Sequence, residues 1–130
     1  MEKQRVLIAN KFYYRRGGDC IHALALERLL AERGHEVAVL ASAHPANLPS
    51  SWSGYWPAPV DFRGSFAGRF RAARRMLGHD GIARSVRRLL RDFRPDVVHL
   101  HNIHSHLSPV VAREARAYGC RVVWTLHDYK

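Results

Sequence analysis

Acidic residues are scarce in this chain. Eleven Asp and Glu stand against 21 Lys and Arg, which leaves a formal net charge of +10 with histidine neutral. An excess of that size favours anionic partners such as nucleotide phosphates, lipid headgroups or nucleic acid, and says nothing about fold. Cysteine is scarcer: only Cys20 and Cys120 occur, with no CxxC pair. That pattern argues against a disulfide framework and suits reduced thiols in a cytosolic protein. Long apolar runs are missing too. The first, Val6 to Ala9, is far too short for a signal peptide or a membrane span, so a cytosolic location is expected, with any membrane touched from that side. Three short motifs are also lacking: GxGxxG, GxxxxGK[ST] and GxSxG. Neither a dinucleotide fingerprint, nor a Walker loop, nor a serine-hydrolase elbow is therefore available.

What remains is a chain of 130 residues, 47% apolar and 25% charged, which suits one globular domain over 1–130 with a single core. RVLIAN opens with a short unbroken apolar run, as expected of a strand buried on both faces. A basic aromatic stretch and Gly17-Gly18-Asp19 follow. From Cys20 the spacing of Ile21, Leu24, Ala25, Leu29 and Leu30 is helical, and Gly34 stops that helix. EVAVLA, Glu36 to Ala41, reads as the second strand of a βαβ unit.

Ser42 to Ser65 carries Pro45, Pro49, Pro57 and Pro59 and reads as a long loop, with a short strand near Val60 to Phe62. Helical spacing returns from Phe66 to Phe93, with a break around Gly78 to Gly81. In its second half Ile82, Val86, Leu89, Leu90 and Phe93 form one stripe, while Arg84, Arg87, Arg88, Arg91 and Arg94 fall opposite. That basic face is either a solvated surface or a contact for anionic lipid, carried by Arg84, Arg87, Arg88 and Arg91. The strand VVHLH, a helix begun by Ser108-Pro109 and closed by Gly119, and the strand RVVWTL complete the alternation. The expected fold class is α/β, an open parallel sheet flanked by helices.

Open parallel sheets bind ligands beyond the carboxyl ends of their strands. Three places qualify: Gly17-Gly18-Asp19, His101-Asn102, and Thr125-Leu126-His127-Asp128. Paired glycines let backbone approach a ligand, and the helix start behind them offers unpaired N–H groups to an anion, although a plain tight turn explains them equally well. Histidine is crowded at His99, His101, His104 and His106. No cysteine or carboxylate accompanies these residues, so no metal ligand is assigned. For His99 a hydrogen-bonded place inside the sheet is expected, with the side chain of His101 on the same strand face. His127 could bond a substrate hydroxyl; Asp128, its neighbour, need not touch it.

Taken together, NKFYYRRGGD, LLAERGHEVAVLA, PDVVHLHNIHSHLSP and GCRVVWTLHDYK resemble, in order and over nearly the whole chain, the GT-B-fold retaining glycosyltransferases of family 4. The resemblance is greatest to members that build cell-surface polysaccharides. It implies a Rossmann-like N-terminal half, a nucleotide-sugar donor, a glycan or lipid-linked acceptor, retention at the anomeric carbon, and no cofactor or required metal. It also implies that Gly17, Gly18 and His127 bind the donor, with His127 at the reaction centre as the catalytic residue, and that His101, Asn102 and His104 line the acceptor side. Many relatives carry Glu shortly after the paired glycines, where this chain has Asp19-Cys20. Family members add a second, donor-binding domain with an E-x7-E motif, absent here, so the chain reads as an N-terminal fragment dependent on a C-terminal domain or partner chain and inactive alone. Two rival readings remain: a basic nucleic-acid-binding module, and a small histidine-rich metal-binding protein.

Overall fold

The computed structural model describes residues 3–15, 17–58, 66–76, 81–103 and 107–125. β1 (Arg5–Ala9) is buried from Val6 onward, as an apolar run without alternation requires of a central parallel strand. β2 (Glu36–Leu40) pairs with one edge of it and β3 (Val97–Leu100) with the other, and β4 (Arg121–Trp124) lies outside β3. The order is β2-β1-β3-β4, with every pairing parallel. α1 (Gly18–Glu32) connects β1 to β2. The chain then returns past β1 through a single 3-10 turn (Ser53–Tyr55), α2 (Phe66–Met76) and α3 (Ile82–Phe93), and α4 (Val110–Tyr118) leads into β4. The expected alternation of strands and helices is therefore present; the strand expected near Val60 to Phe62 lies outside the described residues.

Because this sheet grows first one way from β1 and then the other, its helices divide between the two faces. Leu7 and Ala9 join Val98 and Leu100 in the larger core, roofed by Val86, Leu89, Leu90 and Phe93 of α3 and by Val111 and Ala115 of α4. Val6 and Ile8, pointing the other way, meet only Ala23, Leu26 and Leu30 of α1 with Val37. The α3 stripe is buried at all five expected positions. In α1 the burial differs from the simplest expectation: Cys20 and Ala23 face the sheet, while Ile21 and Leu29 are half exposed. They line an outward groove of about 540 Å³ with Leu24, Leu48 and Tyr13.

Glycine ends two helices where only a left-handed residue continues the chain: Gly34 has φ 89° and Gly119 φ 101°. At the start of α4, Ser108 Oγ accepts the Val110 N–H at 3.2 Å. The proline-rich loop is pinned by its aromatic residues. Trp52 packs edge-on against Phe93, the Trp56 indole N–H donates to the Val39 carbonyl at 2.9 Å, and the Tyr55 hydroxyl donates to Asp92 at 2.6 Å. Both cysteines are free thiols; Cys20 is buried against the sheet, and burial together with Asp96 pushes the Cys120 thiol above its ordinary range. β4 is less enclosed than its apolar sequence suggests, with Val123 and Trp124 both exposed at the sheet edge.

Candidate functional site

Strand order reverses at β1, so the crevice favoured for ligands lies beyond the carboxyl ends of β1 and β3. On the α1 face the two strands there change from apolar to polar: Val6 and Ile8 give way to Asn10, and Val97 to His99 and His101. Asn10 is buried and joins three elements. Its Nδ2 donates to the Phe12 carbonyl at 3.1 Å and meets Cys20 Sγ at 3.4 Å. Its Oδ1 accepts the Asn102 N–H at 3.2 Å, and the His101 N–H reaches the Ala9 carbonyl at 2.9 Å.

Three imidazoles continue this polar column. His99 and His101 stack with centroids 4.5 Å apart and planes 13° from parallel, as two residues apart on one strand face should. His22, from the second turn of α1, tilts against His101 at 5.4 Å. His99 Nε2 and Thr125 Oγ1 share a hydrogen bond of 2.7 Å, which is the satisfied position inside the sheet that the sequence suggested. The Trp124 indole donates to the His101 carbonyl at 2.9 Å. His101 is only 1% exposed. It therefore stands behind the surface of the acceptor side implied for it, with His99 stacked on its ring and His22 tilted against it. Asn102 is half-buried one residue further out.

α1 points its first turn at this column. Gly17 is the extended residue before the helix, with φ −162°, and its carbonyl accepts the Ile21 N–H at 2.9 Å. Gly18 already belongs to the helix, two residues earlier than the apolar periodicity implied. A Cβ built on Gly18 meets nothing within 4 Å. Among the described residues, neither packing nor a left-handed backbone demands glycine there. The helix dipole and the first-turn N–H groups, which no side chain of the N-cap residue Gly17 caps, make this end of α1 favourable for an anion.

The structure brings together Gly17, Gly18, His101 and Asn102. His104, His106 and His127 lie outside the described residues. Asn10 and His22 are the members of the site that sequence reasoning missed; Thr125, expected at the same rim, enters through its hydroxyl on His99. Asn10 had one visible signal, a polar residue directly after an apolar strand, while His22 had none. Among the described residues no group of three or more His, Cys, Asp and Glu side chains could hold a metal ion.

The basic face of α3 is distant from this column in the chain and is largely engaged. Arg87 donates from Nε and Nη2 to both Glu114 carboxylate oxygens at 2.9 and 3.0 Å. The Arg88 guanidinium sits 5.3 Å from the Tyr55 ring centroid, and Arg91 pairs with Asp92 at 3.6 Å. Hydrogen bonding from Arg87 comes first among the causes that hold the Glu114 carboxyl below its ordinary range, and burial opposes it. Among the described residues no helix is long and apolar enough to cross a membrane.

A parallel sheet of this order, flanked by helices and with a polar crevice at its switch point, is Rossmann-like and resembles the N-terminal half of a GT-B glycosyltransferase. The chain belongs to Glycosyltransferase Family 4, whose model matches residues 16–130. It is similar in fold to MurG of Acinetobacter baumannii, with a TM-score of 0.59 at 19% identity over 97% of this chain and 36% of that one. It is also similar to SsfS6, a Streptomyces sp. SF2575 glycosyltransferase, with a TM-score of 0.50 at 16% identity over 95% of this chain and 39% of that one. An uncharacterized 42.6 kDa protein in the cps region of Klebsiella pneumoniae is 28% identical over 95% of this chain and 36% of its own length. The chain thus spans roughly a third of the relatives it matches.

Proposed function

We propose that this chain forms the acceptor-side wall of a family 4 transferase that moves a sugar from a nucleotide-sugar donor to a glycan or lipid-linked acceptor with retention. The observation that carries this reading is a helix N-terminus headed by Gly17 and Gly18 at the switch-point crevice, where among the described residues nothing lies within 4 Å of a Cβ built on Gly18. Gly17 and Gly18 would lie against the donor diphosphate, where backbone N–H groups meet negative charge. His127 would contact the transferred sugar near the reaction centre. Asn102 and His104 would meet the acceptor, with His101 setting the shape of the wall behind them. The nucleotide contacts and the opposite wall would come from a C-terminal domain or a partner chain. The name of the Klebsiella pneumoniae relative, a protein in a cps region, supports a role in cell-surface polysaccharide synthesis. A cytoplasmic enzyme, peripheral on the inner membrane face, fits a lipid-linked acceptor. No cofactor or metal ion is part of this proposal.

Gly18→Ala, made where this chain is joined by the proposed donor-binding domain or partner, separates a ligand role from a folding role. The expected result is an unchanged or slightly raised Tm, since alanine suits a helix better by about 1 kcal/mol, with KM for the nucleotide-sugar raised at least several-fold. An unchanged KM and kcat would place the donor elsewhere.

A further inference from the structure

The proline-rich loop after β2 is built around fixed side chains. Hydrogen bonding between the β1 and β2 sides continues past both strand ends: the Asn10 N–H donates to Leu40, the Ser42 N–H to Lys11 and the Leu48 N–H to Tyr13, at 3.0, 2.8 and 2.8 Å. Asn47 ties the loop through its side chain as well. Its Oδ1 accepts the Tyr13 N–H at 2.8 Å, and its Nδ2 donates to the Ser42 carbonyl at 2.9 Å. The Trp56 indole is held by its N–H on the Val39 carbonyl and lies edge-on to Tyr13, with ring centroids 5.6 Å apart. The His44 ring stacks on Tyr14, centroids 4.8 Å apart and planes 23° from parallel. His44, Asn47 and Trp56, all anchored in this way, wall a cavity of about 260 Å³.

The lining of this cavity decides what it can take. Among the described residues, none that lines it is Lys, Arg, Asp or Glu, on a chain with 21 Lys and Arg. The larger groove along α1 differs, with Arg15, Glu27, Arg28 and Glu32 in its walls. A phosphate or a nucleotide would find no countercharge in the loop cavity. An aliphatic chain would strip water from His44, Asn47, Ser50 and Ser53 without replacing their hydrogen bonds. A neutral polyol meets both conditions. Its hydroxyls donate and accept, and its C–H faces suit Pro49 and Trp56. The hydrogen-bonding partners are set in advance. His44 Nδ1 accepts the Ala46 N–H at 3.0 Å, so the neutral ring carries its proton on Nε2. Ser50 Oγ accepts the Trp52 N–H at 3.1 Å and keeps its own hydrogen to donate. The volume lies below the roughly 300–1,000 Å³ of sites for drug-sized ligands, which limits the occupant to a small one. We propose that this cavity binds one neutral pyranose unit of a glycan.

Its place in the fold gives the cavity a use. Ala43 and His44 follow β2, and the Ala43 N–H donates to the Pro57 carbonyl at 2.8 Å, which holds the far end of the loop there too. Every described strand is parallel, so the cavity stands beyond the same end of the sheet as the polar crevice, displaced from β1 towards β2. A glycan whose reacting end lay in the crevice would place an earlier sugar unit here. That use, recognition of a saccharide rather than of a bare lipid carrier, rests on the proposed function; sugar binding by the cavity does not.

Amide chemical shifts of this chain, followed by NMR, test the binding without any sugar transfer, so its failure and that of the transferase reading are distinguishable. The probes are methyl α-glucoside, methyl α-galactoside, methyl α-mannoside and N-acetylglucosamine, with inorganic phosphate as the charged comparison. At least one sugar is expected to move the amides of Ala43, Asn47 and Ser53 saturably at millimolar concentration, and phosphate to leave them in place. Ser53→Leu adds bulk to the cavity wall from an exposed position and is expected to weaken that binding by about tenfold or more at an unchanged Tm. Arg28→Ser, in the α1 groove, is expected to retain it. Four results would each overturn the proposal: no saturable shift with any of these sugars, undiminished binding by Ser53→Leu, shifts confined to the α1 groove at Ala25 and Leu29, or displacement of the sugar by phosphate.

Discussion

Asn10 sits at the end of β1, and its side-chain amide reaches the loop after that strand, Cys20 of α1 and the segment after β3. An amide is suited to this position because one end donates while the other accepts, whereas an apolar residue of the same size satisfies neither neighbour. Asn10→Leu is expected to destabilise the chain by about 2–3 kcal/mol, measured by urea unfolding; a loss below half of that would show that the loop repacks around leucine. The histidines at this scale illustrate the limits of spacing. Period two placed His99 and His101 on a common face, and their rings do stack. Spacing could not show that His22, nearly eighty positions earlier, closes the stack and buries His101.

α3 and α4 cover one face of the sheet and are joined at their outer surface by the Arg87–Glu114 pair. Glu114 is buried while the Arg87 guanidinium is largely exposed, so this pair is screened on one side only. The carboxyl is held below its ordinary value of 4.5. Its contribution to stability is therefore full above that value and disappears as pH falls through the lowered one. Glu114→Gln is expected to lower Tm by roughly 3–5 °C at neutral pH, and the gap to wild type should close on acidification below the carboxylate range. A gap independent of pH would assign the effect to packing. α3 was the most legible helix in the sequence because all its apolar residues share one stripe. α1 was harder: apolar residues fall on several sides of it, and only the narrow strip of Cys20 and Ala23 approaches the sheet closely enough to be buried.

At the scale of the whole molecule, one face of the sheet carries a deep apolar core and the other a small one that turns polar towards the carboxyl end. The second face offers hydrogen-bonding groups to a ligand, and in the proposed function it forms one wall of the cleft. Under the proposed function, this chain alone is expected to show no transfer from a nucleotide-sugar, checked by product formation with an active nucleotide-sugar transferase as reference. Turnover by the isolated chain would mean that one wall suffices. β4, with Val123 and Trp124 exposed, is the least enclosed strand of the sheet.

The alternation of strands and helices, the α3 stripe and the glycines that end α1 and α4 were determined by the sequence alone, because periodicity and backbone sterics act over a few neighbouring residues. Burial of His101 and the convergence on Asn10 were decided only by the tertiary structure. Each depends on which distant segment arrives beside it, and no local pattern encodes that arrival.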